Sequence, residues 1–309
     1  MTNYEGYCAK IISGLRDILG ADYTLERKII PKNNSVQKDG LLIQKAGTPI
    51  CQVIYLDELF AGNRSLAEIV SVVRQAFSDS GTTPISRLVA SFSDFERNRS
   101  RVILRLLNYP ANAERLKSIA HIKVLDMAAA FYLFVSDGPE GLRTAAVSND
   151  LLKSWGVSFE ELYPLALANT ERIMPPLHTT FSQIMEDMAT ETGIPDFGFV
   201  KQPDPVPMHI LTNRRKVFGA ASILYPGFLK KVSGELDADL ILLPSSLHEF
   251  IALPDMFFED DSLEGFADLV KDVNSNEVSD MDRLSDNAYR YVRDEGAIYL
   301  MDTDICYHL

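Results

Sequence analysis

The chain has 309 residues, 46% hydrophobic and 24% charged, and its mean hydropathy is close to zero. That excludes a disordered or fibrous polymer, and no apolar run approaches the roughly 20 residues a membrane helix needs. A net charge of −13, from 30 Lys and Arg against 43 Asp and Glu, disfavours direct nucleic-acid binding by the acidic part of the molecule.

In chain order, Tyr7, Ile11, Ile12, Leu15, Ile18 and Leu19 recur at spacings of three and four, which predicts an amphipathic helix over 5–19 that stops near Gly20. Alternating "DYTLERKII", then "LLIQKAG" and "PICQVIYL", read as three strands around a polar turn at "PKNNSVQKDG". A second helix follows in "RSLAEIVSVVRQAF", with Leu66, Ile69, Val70, Val73 and Phe77 on one face and a capping-box pair, Ser65 and Glu68, at its start. Residues 1–81 therefore read as a small α-β-β-β-α domain, and "SDSGTTP", 78–84, as the linker to a larger domain over 85–309.

"SFSDFERNRSRVILRLL", 91–107, reads as a basic amphipathic helix with Arg97, Arg101 and Arg105 sharing a face, solvated or docked on acidic surface. Two stretches, about 121–170 and 208–255, read as repeated β-hairpin–helix units; in the second, the Ala-rich "VFGAAS" is taken as a short strand. "DLILL" and "HEFIALPD" form a hairpin, and 192–207, with four prolines, reads as a surface connection. A late helix over 260–274 is expected to turn Leu263, Phe266, Ala267, Leu269, Val270 and Val273 inward, and "NAYRYVRDEGAIYLM" to close a hairpin around Asp294–Gly296. The expected fold class is α+β: mostly antiparallel sheets built from such units and flanked by helices.

Charge is divided unevenly. Residues 1–125 carry a net +5 and 126–309 a net −18; within the latter, 255–295 has 13 acids against Lys271, Arg283, Arg290 and Arg293. Such a surface suits a basic protein partner or a mimic of nucleic acid, beside its plain effect on solubility. Cys8, Cys51 and Cys306 are far apart and odd in number, which fits reduced thiols in a cytoplasm. "MTNYEGYCAK" has no basic flank before an apolar stretch, so no secretory signal is expected.

The candidates for chemistry centre on "LPSSLHEFIALPD", where Ser245, Ser246, His248 and Glu249 supply the residue types of a hydrolytic triad. The flanking glycines of a nucleophile elbow are missing and a strand follows where a helix should. In an extended strand, Ser246 and His248 share a face and Glu249 points opposite. The plain reading is a Pro-Ser-Ser turn whose hydroxyls bond the backbone. His121, His178, His209, His248 and His308 stand alone in sequence, so no metal site is expected; no phosphate loop or dinucleotide fingerprint occurs, and no cofactor is implied. "DDSLE" and "DMDRLSD" read as acid clusters at helix starts, and Trp155 as a core residue.

"KNNSVQKDGLLI", "LLNYPANAERL", "LLKSWGVSFEELYPLALANT", "LTNRRKVFGAASILYPGFL", "ILLPSSLHEFIALPD" and "LSDNAYRYV" together resemble a family of bacterial proteins known by a domain-of-unknown-function number, 5688, mainly from gut anaerobes. The resemblance spans nearly the whole chain and implies a bacterial cytoplasmic protein; it brings no catalytic residues with it. Three functional expectations stand: a non-enzymatic binding protein using the acidic C-terminal surface, without membrane contact; a hydrolase centred on Ser246 and His248; and an acidic decoy inhibiting a nucleic-acid enzyme.

Overall fold

In the computed structural model, residues 3–47, 51–79, 92–138, 141–184, 186, 206–258 and 265–309 are described. The chain divides into two compact units, Met1–Asp94 and Phe95–Leu309.

The first unit begins with α1, Tyr4–Leu19, capped where the Asn3 side chain accepts the Gly6 N–H at 2.8 Å and ended at Gly20, whose φ of 77° a side chain would resist. Strands β1 (Tyr23–Pro31), β2 (Gln37–Lys45) and β3 (Cys51–Tyr55) form an antiparallel meander in that order. Two helices follow, α2 (Leu56–Ala61), absent from the sequence reading, and α3 (Leu66–Asp79). Leu41 and Ile43, two apart on β2, meet Cys8, Ile11 and Leu15 of α1 and Ile69, Val70 and Val73 of α3 in one buried core. The expected capping box forms: the Ser65 N–H donates to Glu68 Oε2 at 2.8 Å and the Glu68 N–H donates to Ser65 Oγ at 3.4 Å. These bonds, the Ser65 backbone foremost, hold the Glu68 carboxyl down at about 2.

Outside that core, Arg27 forks onto two carboxylates. It donates to Glu5 at 2.7 and 2.8 Å and to Asp39 at 2.6 and 3.0 Å, while the Tyr4 hydroxyl donates to Asp39 at 2.6 Å. Hydrogen bonds from Arg27, then from Tyr4, keep the Asp39 carboxyl below its usual range. Because the folded value lies below the unfolded one of about 3.9, this contribution is present above pH 4 and is lost as pH falls through the folded value. Amide hydrogen exchange in β1 and β2 is therefore expected to speed up on acidification from pH 5 to pH 3 beyond its intrinsic pH dependence, and Asp39→Asn should remove most of that extra response. An unaltered response in the variant would locate the acid sensitivity elsewhere.

The second unit holds two sheets. In the four-stranded one, the long β6 (Met127–Gly138) pairs β4 (Val102–Asn108) along one edge and β5 (His121–Val124) and β7 (Gly141–Ala146) along the other. The seven-stranded sheet is antiparallel throughout, in the order β14-β13-β12-β10-β11-β9-β8. Its strands are β8 (Pro176–Thr180), β9 (His209–Asn213), β10 (Leu240–Ser246), β11 (Glu249–Pro254), β12 (Tyr289–Val292), β13 (Ala297–Leu300) and β14 (Cys306–His308). The fold is α+β. Helices α4 (Phe95–Asn98), α5 (Ala113–Leu116), α6 (Asn149–Trp155), α7 (Phe159–Ile173), α8 (Phe228–Leu236) and α9 (Phe266–Asn276) accompany the sheets. α7 lies on β4, where Thr170 Oγ1 accepts the Leu104 N–H at 2.9 Å. Trp155 is buried, 5.4 Å from the Phe95 ring.

Four expectations need correction. Residues 91–107 are not one helix: α4 and a 3-10 turn at Arg99–Arg101 lead into β4. Val102, Ile103, Leu104, Leu106 and Leu107 are buried on both faces of the sheet, so the apolar run lacks the alternation of a half-exposed strand. Arg101 leaves the expected basic face and donates at 2.9 and 2.6 Å to the carbonyls of Phe134 and Val135, where β6 bulges against β7. Second, "VFGAAS" is no strand. Gly219–Leu224 is a 3-10 turn with all six residues buried, and β9 pairs with β8 and β11 instead, so 208–255 is not a hairpin–helix unit. Third, Leu269 and Val273 do not face inward; they are 49% and 40% exposed. α9 is rotated to bury Phe266, Val270 and Asn274, whose amide donates to the Ser285 carbonyl at 2.9 Å and to Asp286 at 2.7 Å. Fourth, "DMDRLSD" makes a turn at 280–282, and no helix follows it. Residues 259–264, most of the 78–84 linker and most of 192–207 lie outside the described residues.

Candidate functional site

The hairpin that carries the triad residue types closes through a two-residue turn, Leu247 and His248, between the paired residues Ser246 and Glu249. Strand alternation therefore does not run through the tip. Ser246 and Glu249 oppose one another, and His248 belongs to the turn, which reverses the geometry expected from an extended strand. Ser246 Oγ accepts the His248 N–H at 3.0 Å, and Ser245 Oγ donates to Glu249 Oε1 at 3.4 Å.

The His248 ring points to other partners. Its Nδ1 accepts the Phe218 N–H at 3.1 Å, its Nε2 lies 3.7 Å from Asp282 Oδ1, and its face stacks on Phe218 at 5.6 Å and 29°. Around the same tip, Thr212 Oγ1 donates to the His248 carbonyl at 2.7 Å and the Leu247 N–H donates to the Asp282 carbonyl at 2.8 Å. With Nδ1 accepting, the neutral ring carries its proton on Nε2, towards Asp282. No ring lone pair is left to take a proton from Ser246, as a nucleophile–base pair requires. The tip is instead bolted to three segments, and Phe218 takes a left-handed conformation (φ 52°, ψ 30°) that a bulky side chain adopts only when its surroundings hold it there. Asp282 has no local signal; only the fold brings it to the histidine.

Two histidines that stand alone in sequence meet. In the antiparallel β8–β9 register Thr180 opposes His209, which sets His178 diagonally across, and His178 Nε2 lies 2.9 Å from His209 Nδ1. Glu235 lies 3.2 Å from His178 Nδ1, and Lys231 lies 3.7 Å from Glu235. Burial, with His178 adding, pushes the His209 pKa down, and His209 Nε2 is sealed without a hydrogen-bond partner among the described residues. His178 opens on a cleft of about 490 Å³ lined also by Glu171, Arg214 and Phe228. Among the described residues, no three His, Cys, Asp or Glu side chains gather as metal ligands would.

The acidic C-terminal stretch is sorted by its pairing. Residues 265–295 hold eight Asp and Glu against four Lys and Arg. Arg290 lies 2.6 Å from Asp255, Arg293 2.8 Å from Asp237, and Arg283 3.0 Å from Asp280. On α9, Lys271 joins Asp268 at 3.3 Å, but Asp272 and Glu277 form no ion pair among the described residues. Leu269, Asp272, Val273 and Asn276, at i, i+3, i+4 and i+7, make one exposed strip, apolar and acidic together. Sequence periodicity assigned its two apolar members to the core, because a helix stripe does not disclose which of its edges the protein covers.

No helix among the described residues is long and apolar enough to cross a membrane. A family model described as a family of unknown function, DUF5688, matches residues 4–293. No curated protein and no solved structure matches the chain.

Proposed function

We propose a binding role, without catalysis, for this chain, which belongs to the DUF5688 family of unknown function: the α9 strip receives a basic amphipathic helix of a protein partner. The observation that carries this reading is the exposure of Leu269 and Val273, one turn apart, beside Asp272 and Glu277, which form no ion pair among the described residues. A partner helix would cover the two apolar side chains, with lysines or arginines facing Asp272 and Glu277. On this reading the protein works in the cytoplasm, and residues 1–81 are a domain of their own.

The test measures fluorescence anisotropy of a labelled lysine–leucine amphipathic peptide against the full chain and against Leu269→Lys/Val273→Lys. Affinity is expected to fall steeply from 50 to 300 mM salt and to weaken about tenfold or more in the double variant. A control change at Asp294, outside the strip, should leave it unaltered. Equal binding by the full chain and the double variant, or binding indifferent to salt, would remove the strip from the function.

A hydrolase reading around Ser246, His248 and Glu249 has one observation in its favour, Asp282 beside Nε2. The engagement of Nδ1 by the Phe218 N–H weighs against it. For an acidic decoy of nucleic acid, rows of unpaired carboxylates are needed, and Arg283, Arg290 and Arg293 interrupt them with ion pairs.

A further inference from the structure

In a protein of net charge −13 a partly buried cation would ordinarily have an acid at hand, so an arginine held between rings without one among the described residues stands out. Arg105 on β4 is half-buried, with its guanidinium held between two rings: Cζ lies 4.5 Å from the Tyr132 ring centre and 3.1 Å from that of Phe218. Nη1 donates to Thr144 Oγ1 at 2.8 Å, and Nε is sealed with no hydrogen-bond partner among the described residues. Arg115, also half-buried, donates from Nη2 to the Tyr132 hydroxyl at 3.2 Å, so the two guanidiniums gather around one tyrosine. Neither forms an ion pair among the described residues. Burial, with Arg115 adding repulsion, lowers the Arg105 pKa to about 10, so this side chain remains charged at neutral pH.

The surroundings hold this arrangement in place. Phe218 keeps its left-handed backbone while its N–H donates to His248 and its ring caps Arg105, so the tip of the β10–β11 hairpin acts as a brace behind the arginine. His121 lies on the same sheet face, opposite Ala130, which in turn opposes Arg105. Two like charges held together, neither in an ion pair among the described residues, are costly unless an anion completes them.

We propose that Arg105 and Arg115, with the Thr144 hydroxyl, form a binding site for a dianionic oxyanion of the phosphate-monoester class. The guanidinium fork matches such an oxyanion in shape, and two positive charges match its charge.

The probe is inorganic phosphate, titrated calorimetrically and by thermal melting into the full chain at pH 7.5, with ionic strength held constant by sodium chloride. Phosphate is expected to bind and raise Tm, whereas acetate at equal ionic strength should do neither. Arg115→Gln should weaken phosphate binding about tenfold, and Arg105→Met should abolish it. Should Arg105→Met fail to fold, Arg115→Gln and Arg115→Lys carry the test, with lysine restoring part of the affinity. The proposal is overturned if phosphate stabilises no more than chloride, if acetate equals phosphate, or if Arg115→Gln binds as tightly as the parent.

Discussion

Asp126→Ala is expected to lower the unfolding free energy of the 95–309 unit by about 4 kcal/mol. Asp126 follows β5 after Leu125, which takes a positive φ of 57°, and its carboxylate gathers three donors from Ser285, Asn287 and the first residue of β12, Tyr289. Ser285 Oγ donates to Oδ2 at 2.6 Å, Asn287 Nδ2 to Oδ2 at 3.0 Å, and the Tyr289 hydroxyl to Oδ1 at 2.5 Å. These residues sit about 160 positions later in the chain, so the carboxylate ties the four-stranded sheet to the seven-stranded one. Burial, then Asp126, push the Tyr289 pKa well up, so its hydroxyl stays protonated and needs an acceptor. Alanine would strand that donor away from water, which costs more than the hydrogen bond itself contributes. Asp126→Asn should fall between, because one amide position must then face donors. Trp155, the only tryptophan, lies in this unit, so its fluorescence during urea unfolding reports the change. A midpoint shift in Asp126→Ala no larger than that of an exposed Asp→Ala would refute the clamp.

Gly219→Ala should destabilise the same unit by about 3 kcal/mol, the upper end for overpacking, because the obstacle is main chain. A Cβ built there collides with Thr212 Oγ1 and the His248 carbonyl, and lies 2.8 Å from the Asn213 nitrogen. Thr212 can rotate only by giving up its bond to that same carbonyl. Gly234, exposed on α8 with nothing within 4 Å of its Cβ position, makes the contrast. Alanine there should stabilise the protein by about 0.5–1 kcal/mol through helix propensity. Trp155 fluorescence in urea measures both, and equal effects of the two substitutions would mean that Gly219 is not held by close approach.

Local signals were the legible ones. α1, the Ser65–Glu68 cap of α3 and the β12–β13 hairpin each announce themselves within a dozen residues, through periodicity, a cap or Gly296 with its φ of 62°. The α+β class follows from such pieces. Where both faces of an element are covered, the signal fails: β4 is apolar but for Arg105 and Asn108, the turn at Gly219–Leu224 offers only small and apolar residues, and in both the period is lost. Sites suffer more. His178 reaches His209 through strand register, Asp282 reaches His248 through a loop, and Arg105 loses its supposed solvent face because a strand, not a helix, carries it. "LSDNAYRYV", one of the motifs behind the family resemblance, has a structural role through Ser285, Asn287 and Tyr289, which no local pattern discloses.

The two flanks of the seven-stranded sheet bear on how the protein behaves at high concentration. β8 opens with Pro176, which offers no amide hydrogen, and the other flank is the three-residue β14. A ribbon of neighbouring copies would need a long run of vacant amides and carbonyls to continue from one molecule to the next, and among the described residues neither flank supplies one. Clipping off β14 would bare the Ala297–Leu300 ladder, Ala-Ile-Tyr-Leu, and turn a self-limiting sheet into a template for fibrils.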